Sequence, residues 1–292
     1  LYPFLLETNE SLPSVEFAKN YFPNIEDFKL LLINPNVHNQ FLNKFIFNAS
    51  LSEHSLDFFL DTQFAFACLI HADKADAAKF SSLDSDEKDI IHANKKDVEI
   101  FANVYSDKLN AYLKELSQDS ELNKLRTSIR EEAVANIQQG LSKGKRVFEL
   151  TSPTGSGKTL MMLALANEVL KKRIEQNQEP VRIIYALPFL SITEQVEAEV
   201  LKIFKGYEGY IQRIDSKSQN KRFEDIQEAL DNDPDDSIIH ELGMLTFQEN
   251  TFGYPFIITT FVRFFEAILS NHNATLLKLP NFSKSIFLLD EI

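Results

Sequence analysis

The stretch TSPTGSGKT, residues 151–159, lies between the short run RVFEL (146–150) and the apolar, then basic, run LMMLALANEVLKKRIE. A strand, a glycine-containing loop and a helix in that order form the setting in which a backbone wraps a phosphate. Gly155 and Gly157 permit φ values that other residues avoid, so the loop can approach an anion closely. The following helix turns its N-terminus and free N–H groups toward the same point. Lys158 then supplies positive charge for the β- and γ-phosphates, and Thr159 a hydroxyl for Mg²⁺. The template G-x-x-x-x-G-K-[ST] is met except at its first position, where Ser152 replaces glycine. Ser152, Pro153, Thr154, Gly155, Ser156, Gly157, Lys158 and Thr159 are therefore the candidate nucleotide-binding residues, with ATP and Mg²⁺ as cofactors.

Outward from this loop the pattern repeats. VRIIYALP (181–188), PFIITT (255–260) and SIFLLDEI (285–292) are apolar throughout, and helix-period segments follow the first two. Strands of that kind, alternating with helices, form a parallel sheet covered on both faces. The expected fold from about residue 121 is thus a doubly wound α/β domain of four strands, RVFEL being the first. LNKLRTSIREEAVANIQQGLSKG (122–144) reads as an amphipathic helix, with Gly140 and Gly144 as its stop signals. Residues 1–116 are mostly helical in pattern and form a separate unit, set off by the polar break at 118–121. The acidic stretch EDIQEALDNDPDD (224–236) reads as a solvated insertion.

Composition narrows the class. A net charge of −13 argues against a surface given over wholly to nucleic acid, though a local cleft remains possible. The single cysteine, Cys68, excludes an internal disulfide and any zinc site built on several cysteines, and fits a reducing cytoplasm. No apolar run is long enough to span a membrane. The chain begins without methionine and stops just after two carboxylates, so it reads as a fragment. The 25 phenylalanines are assigned to core packing. Of the six histidines, none is followed by aspartate, and surface or capping roles suit them.

Asp290 ends the last strand, where a P-loop ATPase places the acid that holds Mg²⁺. Glu291 is placed to orient or deprotonate a water. With Lys158 these are the candidate catalytic residues. Pro188, Ser191, Thr193 and Gln195 follow the VRIIYALP strand, and Thr259 and Thr260 end PFIITT. Loops beyond strand C-termini share one sheet edge, where hydroxyls and helix N-termini can hold a nucleic-acid backbone. Capping of the helices that follow is an equally physical use for Ser191 and Thr260.

The succession SPTGSGKT, RIIYALPFLSITEQ, PFIITTFVRFFEAIL and SIFLLDEI resembles the first RecA-like domain of a superfamily 2 helicase. More narrowly it is similar to the type I CRISPR-associated helicase–nuclease, over about residues 122–292. That resemblance implies an ATP-dependent motor on single-stranded DNA, acting with a Cascade-type surveillance complex. It also implies that the chain is cut at the motif holding Asp290 and Glu291, short of a second RecA-like domain. FACLIHADKADAAKF (66–80) resembles the last helix of the family's HD-type nuclease domain, which makes the all-α part a remnant of that domain. Asp73 is then a divalent-metal ligand, Asp76 its neighbour, and His71 stands where the family has an acid. The His-Asp pair of that domain is absent from the chain. Another superfamily 2 helicase or a restriction-type translocase fits the same motor motifs, and a non-motor P-loop switch fits the phosphate loop alone.

Overall fold

The computed structural model describes residues 55–80, 90–116, 120–153, 155–216, 236–270 and 272–291. At its centre is a four-stranded, wholly parallel sheet made of β1 (Arg182–Leu187), β2 (Ile211–Ile214), β3 (Phe256–Thr260) and β4 (Ser285–Leu289), in the order β2-β3-β1-β4. All six residues of β1 and all five of β3 are buried, the expected result for apolar runs flanked by strands on both sides and covered on both faces.

Side chains alternate along β1, and the two sets enter different cores. Ile183, Tyr185 and Leu187 pack on one face with helices α2 (Ile90–Glu115), α4 (Lys158–Glu175) and α5 (Leu190–Ile203). Ile184 and Ala186 pack on the other with α1 (Ser55–Phe80), α7 (Phe261–Leu269), α8 (Asn273–Leu276) and α9 (Leu279–Phe282). Helix α3 (Glu121–Ser142) lies along α4, and α6 (Asp236–Thr251) against α1. Much of the phenylalanine content divides between these cores. Phe204 stacks among Phe101, Tyr105 and Phe256 on the first face, its centroid 5.0, 4.8 and 6.2 Å from theirs. Phe264 sits 5.3 Å from Phe282 and 5.2 Å from Phe287 on the second.

The two helices that precede the 118–121 break thus lie on opposite sides of the sheet. Phe101, Ala102, Tyr105 and Leu109 of α2 belong to one core, and Ala67 of α1 to the other. Their apolar faces are matched to the strands, and the Tyr105 hydroxyl donates to the Leu163 carbonyl of α4 at 3.2 Å.

Three expectations are corrected. RVFEL forms no strand: residues 146–149 are exposed, with Val147 at 90%, and no strand pairs with them. The strand that takes its place in the count is β2, whose sequence IQRI is half polar because it is an edge strand and only Ile211 is fully covered. Gly140 does not stop its helix. It lies within α3, where the ring of Phe148 occupies the space a Cβ would need, 2.4 Å from the nearest ring atom. The stop is Gly144, with φ of +75°. Thirdly, His71 is buried at 9% exposure, edge-on to Phe247 at 5.1 Å. The acidic insertion, residues 224–236, lies almost wholly outside the described residues; Asp236 opens α6.

Two stability measurements follow. Phe204→Ala removes a fully buried ring from the contact between α2, α5 and the sheet, and should cost about 3–5 kcal/mol, read as a lower urea midpoint. His71 is held down to about 4 by burial and, secondarily, by the nearby Arg182 charge. A histidine whose folded pKa lies below its unfolded value favours folding fully above pH ~6.5 and loses that contribution as pH falls toward 4. The stability difference between wild type and His71→Leu should therefore shift by about 3 kcal/mol between pH 7 and pH 4, in the direction that penalises wild type in acid.

Candidate nucleotide site

Helix α4 starts at Lys158, and its N-cap is Gly157 in the left-handed region at φ +81°. Gly155 is also left-handed at φ +78°, and no atom lies within 4 Å of where its side chain would stand. The loop is therefore a backbone concavity whose two turns need glycine. Ser156 is buried and shares a hydrogen bond with the hydroxyl of the half-buried Ser152. That contact gives the serine at the first template position a part in loop closure. Pro153 and Gly155 are exposed, and Thr154 is outside the described residues. Arg126 of α3 clips the loop from above, its Nε donating to the Gly155 carbonyl at 2.9 Å and its guanidinium also to Asn123 Oδ1 at 3.1 Å. The start of α3 is itself fixed by Ser120, whose hydroxyl caps the Asn123 N–H at 3.1 Å.

β4 delivers Asp290 to this loop. The β1–β4 ladder ends with Ala186 opposite Leu289, and the Asp290 N–H continues it by donating to the Ala186 carbonyl at 3.1 Å. Asp290 Oδ1 lies 2.7 Å from Lys158 Nζ, with the Asp290 side chain 8% exposed and the Lys158 side chain 33%. Its Oδ2 accepts from the Tyr185 hydroxyl at 2.8 Å. The ammonium and the helix N-terminus together present positive potential at the loop, and Asp290 confines it on one side.

Next in the chain, Glu291 is exposed and has φ +62°. For a residue with a Cβ that conformation costs about 1–2 kcal/mol, held here by the strand before it.

The six residues expected along the nucleic-acid edge separate into two sorts. Ser191 and Gln195 are exposed, and Pro188 half-buried, at the start of α5. The three threonines spend their hydroxyls inside the fold. Thr193 donates to the Leu190 carbonyl at 2.6 Å and also lies 3.2 Å from Asp215 Oδ2. Thr259 donates to the Ile214 carbonyl at 2.7 Å and so ties β3 to β2. Thr260 caps α7, accepting from the Arg263 N–H. Asp73 is on α1, exposed, with Lys74 Nζ at 3.9 Å. Among the described residues no three histidine, cysteine or acidic groups gather as a metal site.

Sequence reasoning passed over two residues that touch the site, Arg126 at the loop and Tyr185 at Asp290. Arg126 was visible only as part of LNKLR, where nothing distinguishes it from a solvated helix arginine. Tyr185 was readable in principle: in β1 it alternates with Ile184 and Ala186, which puts it on the α4 face.

No curated protein matches the chain. Residues 123–292, more than half of it, match the family described as "Type III restriction enzyme, res subunit". The matched segment opens at the helix that holds the phosphate loop and includes every strand of the sheet, so the chain belongs to the family of the type III restriction enzyme res subunit, and with it to the helicase-like proteins of superfamily 2.

Proposed function

We propose that this chain is the ATP-binding part of a DNA-dependent helicase or translocase. The observation that carries the reading is the Lys158–Asp290 pair, which brings a helix-start lysine and a strand-end carboxylate to within 2.7 Å at the mouth of the glycine loop. Lys158 and the loop N–H groups bind the phosphate tail, and the positive N-terminus of α4 adds to their pull. Asp290 and the Thr159 hydroxyl are hard oxygen donors of the kind Mg²⁺ takes alongside phosphate oxygens, so the residues present fit that ion. When bound, the cation neutralises charge on the β- and γ-phosphates. Glu291 then takes the proton of an attacking water, a task its exposed carboxylate can perform without giving up a fold contact. Ser191, Gln195 and Pro188 border the strand-end edge where a DNA backbone would run, while Thr193, Thr259 and Thr260 shape that edge from within.

The finer assignment is a helicase–nuclease of the type I CRISPR-associated kind, drawing on single-stranded DNA opened by a Cascade-type complex. Its support is the order of the four motifs and the FACLIHADKADAAKF run, in which Asp73 keeps an exposed carboxylate available to a divalent metal. Residues 1–116 would then be the nuclease-derived part and 121–292 the motor. The restriction-type translocase is favoured instead by the family match over 123–292, and it requires no metal at Asp73. No helix among the described residues is long and apolar enough to cross a membrane.

ATP hydrolysis by the full-length protein should rise on adding single-stranded DNA, and Lys158→Ala should lower it by about 10²-fold or more. Hydrolysis indifferent to DNA would leave a nucleotide switch in place of a motor. Glu291→Gln should retain nucleotide binding while slowing turnover by roughly 10²–10⁴-fold. For the nuclease, DNA cleavage is assayed with Mg²⁺, Mn²⁺ and Ni²⁺ beside Asp73→Ala; cleavage abolished by that change supports the CRISPR-type reading, and absence of cleavage with every metal favours the translocase.

A further inference from the structure

Tyr185 belongs to the centre of the sheet, yet its hydroxyl reaches the nucleotide site. In the β1–β4 register it lies opposite Leu288, so Asp290 is its diagonal neighbour on the same face. Diagonal cross-strand positions are within reach of an aromatic side chain. The hydroxyl lies 2.8 Å from Asp290 Oδ2 and 3.6 Å from the sulfur of Met162, in a residue with no solvent exposure.

The direction of the Asp290 bond is fixed by proton count. An ionised carboxylate can only accept, so the one phenolic proton goes to Asp290. An ordinary phenol is protonated at neutral pH, so this donor keeps its proton.

We infer that Tyr185 is a positioning residue for the nucleotide-bound divalent cation, orienting its carboxylate donor, Asp290, through one buried hydroxyl. A phenylalanine would fill the same space in the core, so packing alone does not account for the hydroxyl. A buried hydroxyl without a partner is costly, and here the partner at hydrogen-bond distance is Asp290, from the cation site. The inference rests on the nucleotide-site reading above and adds to it a residue from a strand that carries no part of the phosphate-loop motif.

The test is binding of a fluorescent (methylanthraniloyl) ADP to the full chain, with EDTA and across a Mg²⁺ titration. Tyr185→Phe should bind the nucleotide as wild type does in EDTA, within about 2-fold. The Mg²⁺ concentration for half-maximal enhancement should rise about 10-fold, the loss usual when a partner behind a metal ligand is removed. Met162→Leu, which alters packing at the same hydroxyl, should leave the Mg²⁺ requirement unchanged. An unaltered requirement in Tyr185→Phe, or an equal loss with and without Mg²⁺, overturns the inference while leaving the nucleotide site standing. A wild-type chain whose ADP binding ignores Mg²⁺ sinks the cation site itself, and the inference with it. Should Tyr185→Phe not fold, the titration is run on protein with 3-fluorotyrosine at all eight tyrosines, whose phenols are more acidic. The other fully buried phenol among the described residues, Tyr105, donates to a backbone carbonyl, so a shifted Mg²⁺ requirement supports the inference and an unshifted one overturns it.

Discussion

Everything at the nucleotide site depends on parallel pairing of β1 with strands on both sides. Parallel ladders send all C-termini to one edge, and the register of Ala186 with Leu289 and of Leu187 with Thr260 brings Asp290 and the β3 end to the level where β1 stops. A slip of one residue in β4 would turn Asp290 to the opposite face, toward the core of Phe264 and Phe282, and leave Lys158 without its partner. The apolar character of Ile183 to Leu187 therefore sets the chemistry as well as the core, because burial of β1 on both faces helps to lock the register against β4.

The polar groups inside this sheet are few and each has a defined use. Arg182 enters at the N-terminal end of β1, buried, and donates to the Gly253 carbonyl at 3.2 Å. Thr259 closes the β2–β3 edge, and Thr260 starts a helix. Arg213 of β2 meets Glu194, Glu197 and Asp215 within 3.3–3.4 Å, an ionic cluster that fastens the edge strand to α5. Burying charge is costly unless paired, and the network that forms around Arg213 fits that rule. The other end of the sheet is joined by Glu179, which takes Lys284 at 3.0 Å and also pairs with Lys95 of α2. Those two lysines hold the Glu179 carboxyl down to about 2.

How much of this was legible in the chain follows from what each residue's neighbours had to be. β1 and β3 were readable because they are buried on both faces and so carry long apolar runs, and β4, although at an edge, because Ile286 to Leu289 are all apolar. RVFEL has a similar composition, but a strand also needs a neighbour's open edge, which no property of five residues can announce. IQRI escaped notice for the converse reason, since an edge strand keeps polar side chains. The phosphate loop was readable because left-handed turns and anion binding restrict residue choice tightly at 155, 157 and 158. The hydroxyls of Thr193, Thr259 and Thr260 were not assignable, because a threonine that caps or bridges and one that holds a ligand are written with the same letter. Arg126 was beyond reach: its partner is a carbonyl, and carbonyls have no sequence signature.

The straddling of the sheet by α1 and α2 has a consequence for where this protein can be divided. The family match opens at residue 123, a boundary set by ancestry. The boundary set by water lies further back, at least at the start of α1. A chain shortened to the matched segment would uncover Phe204 and Phe256 on one side and part of the Ile257 and Phe264 core on the other. Recombination that exchanges the motor at the match boundary would thus transplant an engine with both flanks stripped, whereas an exchange that keeps α1 and α2 leaves their cover on both cores in place.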